Sequence, residues 1–117
     1  MKMTDEELRV KVAELMGYTS TETRYAKRLW GYREADDYGD RDGWDLVPDY
    51  PNDIAAAQEL IERAIDNGFM MTLKAWSGSL GTVWDCTFDR SDMDANDSDE
   101  KAGRAITRAF ILAMEAE

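Results

Sequence analysis

Both prolines of the 117-residue chain fall in one short stretch, Leu46-Val47-Pro48-Asp49-Tyr50-Pro51-Asn52-Asp53, which runs straight into Ile54-Ala55-Ala56-Ala57-Gln58-Glu59-Leu60-Ile61. Pro51 fixes its own φ and pushes Tyr50 towards an extended conformation. Asn52 or Asp53 then offers an oxygen to the orphan N–H groups of a new helix. Tyr50 is placed to fold back on that helix as a staple. The stretch therefore forces a break and a helix start at one point, and a helix over about 52–66 follows. Its apolar stripe reads as Ile54, Ala57, Ile61, Ala64 and Ile65, and Asn67-Gly68 closes it.

The other elements are placed relative to that joint. Thr4-Asp5-Glu6-Glu7 reads as a capping box, and Leu8, Val12, Leu15 and Met16 recur at helical spacing, so a first helix is expected over about 5–16, ended by Gly17. Phe69, Met71, Leu73 and Ala75 alternate, as do Trp84, Cys86 and Phe88, with Ser77-Gly78-Ser79-Leu80-Gly81 between them. This pattern predicts an antiparallel hairpin, 69–76 with 82–88. Asp89 to Glu100 reads as an acidic loop. Ser98 is expected to cap a last helix over about 98–115, with Ala102, Ala105, Ile106, Ala109, Phe110 and Ala113 as its buried stripe. A lone hairpin is marginal in water, so a strand from the region 18–50 is expected to widen it. The fold class is α+β: one small α/β/α layered sandwich spanning 1–117.

Charge and composition narrow the function. The net charge of −11 repels nucleic-acid phosphates and anionic membranes and suits basic partners. No apolar run approaches the roughly 20 residues that span a bilayer, and the start of the chain has no apolar signal core. Cys86 is the single cysteine, so an internal disulfide is excluded and a cytoplasmic setting fits. Histidine is absent, which removes the commonest general base and metal ligand. Cys86 has no histidine partner and lies on an apolar strand face, so it reads as an inert buried thiol. Asp92-Met93-Asp94-Ala95-Asn96-Asp97-Ser98 spaces oxygens like a calcium loop, but Asp97 stands where that loop needs glycine and Gly103 where it needs glutamate. It reads as a solvated loop. A non-enzymatic protein without metal or cofactor is the expectation.

Two binding surfaces compete. The segments 34–53 and 85–100 hold 15 of the 25 acidic residues. Asp36, Asp37, Asp40, Asp42 and Asp45, with Trp44 as an aromatic anchor, imitate a row of phosphates that a basic groove would accept. Against this, Arg24, Lys27, Arg28 and Arg33 form the one dense basic cluster, and a pocket lined by Trp30, Trp44, Trp76 and Trp84 would hold an anionic nucleotide. A third reading is a structural subunit or a homo-oligomer paired through an edge strand.

The run Leu8 to Gly17, then Trp30-Gly31-Tyr32, then Leu46 to Asp53, followed by the hairpin and an Ala-rich last helix, resembles the phage ABA sandwich domain family. That resemblance implies an α/β/α layered fold, a phage or prophage origin and work inside a bacterial cell. It brings no catalytic residues. The acidic central region and the ending Ala113-Met114-Glu115-Ala116-Glu117 depart from the family's pattern. With a phage origin, a nuclease or other defence complex of the host is the natural basic partner.

Overall fold

The computed structural model describes residues 3–24, 28–33 and 43–115. The element order is α1 (Asp5–Leu15), β1 (Ser20–Arg24), β2 (Arg28–Arg33), β3 (Gly43–Leu46), α2 (Ile54–Asp66), β4 (Met70–Gly78), β5 (Gly81–Arg90), β6 (Met93–Asp99) and α3 (Ala102–Glu115). The strands form two antiparallel sheets, β1-β2-β3 and β4-β5-β6. With the three helices they make a layered α+β sandwich.

The layers follow from where apolar side chains can be hidden. In the second sheet, Met71 and Leu73 of β4, Trp84, Cys86 and Phe88 of β5, and Ala95 of β6 share the inner face through the registers Met71↔Phe88↔Ala95 and Leu73↔Cys86. Helix α3 lies on β5 and β6, and α2 and α1 pack against α3. Its Gly103, Ala105, Ile106, Thr107, Ala109, Phe110, Ile111 and Ala113 are all buried. That is more than one stripe, as a helix with neighbours on several sides requires. Thr107 is tolerated there because its hydroxyl donates to the Gly103 carbonyl at 2.7 Å.

Four expectations need correction. The segment 89–100 is not a loop: β5 continues to Arg90, and β6 runs from Met93 to Asp99. Alternating oxygen-bearing side chains over those residues are a period-2 strand pattern with a polar outer face. Ser98 therefore does not cap α3. It sits in β6 and donates to Asp85 at 2.6 Å, while Asp99 receives the Lys101 N–H at 3.0 Å. The hairpin is widened by β6, whereas the region 18–50 supplies a sheet of its own. On α2 the buried residues are Ala56, Ala57, Leu60 and Ala64, while Ile54 and Ile65 are more than half exposed. The small alanines bring α2 close to α3, and the isoleucines fall on the flank.

The proline joint behaves as its residues dictate. The Asp49 carbonyl accepts from the N–H groups of Asn52 and Asp53, closing a turn. Asp53, rather than Asn52, caps α2 by accepting from the Ala55 N–H at 3.0 Å. Asn52 instead reaches Asp5, Asp49 and Lys101. Tyr50 and Pro51 are fully buried. Gly103 meets them: a Cβ there would stand 2.7 Å from the Pro51 carbonyl oxygen and 3.0 Å from that of Tyr50. Only glycine lets the first turn of α3 lie on that backbone.

Polar ties complete the frame. Asp99, whose side chain is 8% exposed, pairs with Arg104 at 3.3 Å and Arg108 at 2.9 Å, and Arg104 also binds Asp5 at 3.0 Å. β6, α3 and α1 thus share one ion network. The Thr4–Glu7 capping box starts α1 as the sequence predicts. The hydrogen bond from Arg104, and then the one from Asn52, hold the Asp5 carboxyl below the ordinary aspartate value. Because the folded value lies below the unfolded one, this stabilisation is fully present above about pH 4 and fades as acid titrates the folded group. Replacing Asp5 with Asn is expected to flatten the fall of Tm between about pH 5 and pH 2, measured by circular dichroism melts across that range.

Candidate functional site

The sheet β1-β2-β3 presents two unlike faces. Its register pairs Glu22↔Trp30↔Leu46 and Ser20↔Tyr32↔Trp44, with Arg24↔Arg28 beside them. Leu29 and Gly31, of opposite parity, face the body of the protein and are buried, and Val47 just beyond β3 is buried with them. Gly31 is needed here because the Tyr18 ring lies against its Cα: a Cβ would come within 2.3 Å of that ring. The Trp30-Gly31-Tyr32 signature thus seats Tyr18 on one face and puts Trp30 and Tyr32 on the other.

That other face carries an aromatic and guanidinium cluster. Tyr32 and Trp44 meet edge to face at 5.6 Å. The Arg24 guanidinium stands 4.4 Å from the Trp44 ring centre and 5.9 Å from that of Trp30, cation–π distances in both cases. Glu22 holds Arg24 through an ion pair. These contacts draw Arg24 away from Arg28, which stands directly opposite and would otherwise repel it. Leu46 closes the row and is 43% exposed. Partly exposed aromatic rings set in a paired sheet are rigid anchors of the kind binding surfaces use.

The structure therefore joins residues that the sequence had divided between two readings. Trp44 comes from the acidic candidate surface, and Arg24, Arg28 and Trp30 come from the basic one. They share one face. Asp45 lies opposite Gly31 on the other face of β3 and is exposed. Arg33 pairs with Gly43 at the end of β2. Asp36, Asp37, Asp40, Asp42 and Lys27 lie outside the described residues. Tyr32, Leu46 and Glu22 complete the cluster. The signal for them is a period of two, in Arg28-x-Trp30-x-Tyr32 and Trp44-x-Leu46.

The four-tryptophan pocket is not formed. Trp30 and Trp44 stand on the first sheet, while Trp76 and Trp84 lie on opposite faces of the second, Trp84 against the core and Trp76 about half exposed. A cleft of about 410 Å³ does lie between α1 and the strands β1 and β2, floored by Val10 and Leu29. It carries Glu6, Glu7 and Glu14 against Arg9 and Lys11. Both cations are engaged: Arg9 donates to the Val47 and Pro48 carbonyls, and Lys11 pairs with Glu115 at 2.6 Å.

Where β5 pairs with β6, the outer face of the second sheet is polar. Asp85 accepts from Ser98 at 2.6 Å and from Asn96 at 2.9 Å, and Asn96 also donates to Thr87 at 2.7 Å. The hydrogen bonds from Ser98 and Asn96 hold the Asp85 carboxyl below its ordinary value. Asp89 and Asp94 stand directly opposite each other on the same face. On the inner face, burial, followed by the charge of Asp85, pushes the Cys86 thiol up to about 12. Cys86 is expected to resist a thiol reagent at pH 8 in the folded protein and to react once denaturant unfolds it, read by absorbance of the released chromophore.

Among the described residues, no group of three or more carboxylate or thiol side chains is arranged to hold a metal ion, and no helix is long and apolar enough to cross a membrane. Comparison with protein-family models, curated proteins and solved structures returns no match.

Proposed function

We propose that this chain is a non-enzymatic binding protein, an inhibitor or adaptor, that engages a basic protein surface of the kind that otherwise holds nucleic acid. The observation that carries this reading is the pairing of β2 with β3. It sets Tyr32 and Trp44 together at the end of the aromatic face where residues 34–42 leave and return. That run holds Glu34, Asp36, Asp37, Asp40 and Asp42 against Arg41 alone. Carboxylates steer a basic groove, and the adjoining Trp44 and Leu46 supply apolar contact that water cannot replace. Asp89 opposite Asp94 adds acid on the second sheet, at a cost in stability that a purely structural role would not require.

The resemblance to phage ABA sandwich proteins gives this partner a setting. A phage-encoded chain would act in the cytoplasm of a bacterial host, against a nuclease or other defence complex, a CRISPR complex among them. The test is affinity capture from bacterial lysate at low and high salt. It uses the wild-type chain, a variant with Asp36, Asp37, Asp40, Asp42 and Asp45 reversed to Lys, and Trp44→Ala. Capture of a basic protein that weakens with salt and fails in both variants is expected. Capture indifferent to salt and to charge reversal would sink the proposal.

One observation favours a second reading, sequestration of an anionic nucleotide: Arg24 and Arg28 stand opposite each other beside two indoles. A nucleotide panel in a thermal-shift assay decides it, since a ligand of the folded state raises Tm. A flat response across the panel removes this reading.

A further inference from the structure

Among the described residues the strand β4 is an edge of its sheet, and the groups it turns away from β5 can be assigned by parity. The turns Ser79-Leu80 and Ser91-Asp92 are each two residues long, closing the pairs Gly78↔Gly81 and Arg90↔Met93. A two-residue turn is closed by a hydrogen-bonded pair, and bonded pairs then alternate along the ladder. β5 accordingly bonds β4 through its odd-numbered residues and β6 through its even-numbered ones, so the two turns agree. On β4, residues Met70, Thr72, Lys74 and Trp76 use their backbone on β5. The N–H and C=O groups of Met71, Leu73, Ala75 and Ser77 point away from it.

This edge lacks the guards that the others have. β1 and β3 are only five and four residues long. β6 carries Asp94, Asp97 and Asp99 along seven residues. β4 runs for nine residues with one charge, Lys74, and no proline or acid. Short or charged edges resist pairing, and a long uncharged one invites it.

We infer that β4 is the interface of a two-fold symmetric dimer of this chain, formed by antiparallel pairing of β4 with β4 of a second copy, which makes one continuous six-stranded sheet. The occupant follows from self-complementarity, which a two-fold interface demands. A centre at Lys74, the strand's midpoint, would set the two lysines directly opposite each other in a non-hydrogen-bonded pair, where like charges repel. A centre at Leu73 avoids this and pairs the outward-facing backbone groups of Met71, Leu73 and Ala75 with those of Ala75, Leu73 and Met71 in the other copy. It places Met70, 71% exposed, opposite Trp76 of the other copy, 49% exposed, and does so twice. It places Lys74 opposite Thr72, so the two lysines do not meet. It also brings Leu80, 98% exposed at the hairpin tip, level with the C-terminal end of the other copy's α2, where Ile65 is 53% exposed. The largest exposed apolar side chains on this side of the molecule are thus covered by one register.

The test is sedimentation velocity over a hundredfold concentration range at 0.1 M and 1 M salt. Twice the chain mass is expected at the highest concentration. Two copies at −11 repel through solvent, and the screening length falls from roughly 10 Å to about 3 Å between those salts. The dimer is therefore expected to tighten with salt, the opposite of the basic-partner binding proposed above, so failure of one is distinguishable from failure of the other. Ala75→Pro removes only an N–H that faces the edge and keeps the fold. It is expected to sediment as a monomer with an unchanged melt. Trp76→Lys, also at an exposed position, is expected to raise the dissociation constant at least tenfold. A monomer at every concentration and salt overturns the inference. So does a dimer that survives Ala75→Pro, or a species that keeps growing with concentration, which would mean β4 pairing with β6 in an open chain.

Discussion

Tyr50→Ala is expected to melt roughly 12–20 °C below the wild-type chain, a loss of about 3–5 kcal/mol. The ring is fully buried, and its surroundings cannot close over the gap. The same backbone that carries Tyr50 is in contact with Gly103, where even a methyl group would collide with the Tyr50 and Pro51 carbonyls. The entry to α2 and the start of α3 are therefore fixed against each other, and a truncated side chain leaves a cavity. Tyr50→Phe should recover most of the loss, because the packing volume returns. Neither variant touches the aromatic face of β1-β2-β3. Binding measured well below the melt is expected to stay at wild-type strength, and an unchanged Tm in Tyr50→Ala would contradict the joint.

Asp99→Ala is expected to cost about 2–3 kcal/mol, read as a lower denaturant midpoint with an unchanged slope. Removing one partner of a buried pair can cost about 3–5 kcal/mol. The figure is lower here because the Arg104 and Arg108 side chains keep 20% and 18% of their surface. Arg108 is the more sensitive of the two. Its Nε is buried without a hydrogen-bond partner among the described residues, so Asp99 is the charge that compensates the guanidinium. Arg104 keeps Asp5 after the substitution. Asp99→Asn is expected to fall between wild type and alanine, since it retains an oxygen for the Lys101 N–H.

Legibility in the sequence followed the strength of the period. Helix α1 and the β4–β5 hairpin were readable because capping chemistry and strict alternation occurred together over many residues. The buried stripe of α2 differs from the sequence expectation on one flank, because the alanines that permit close approach to α3, and not the larger isoleucines, decide the contact. β6 was hidden by its composition: Met93-Asp94-Ala95-Asn96-Asp97-Ser98-Asp99 has one small apolar side chain facing inward at its centre, and its strand character depends on pairing with β5. Propensity in strands is mostly a report on neighbours. The candidate site was half legible. Its aromatic and basic members were named, but they were divided between two surfaces because the period-2 pattern of β2 and β3 is interrupted by the acidic run 34–42.

Helix α3 is the last element in chain order, yet it is the common partner of α1, α2, β5 and β6. During synthesis each of those elements emerges before the surface that buries it. Gly103, Ile106, Phe110 and Ile111 arrive only after every strand has been made. The ordering cost of the earlier elements is thus not repaid until α3 has been made, and folding is gated by one late helix. A ribosome-stalled chain ending before Ala102 is expected to be cleaved rapidly by protease throughout α1 and α2, and release of a chain carrying α3 should bring protection to both helices together.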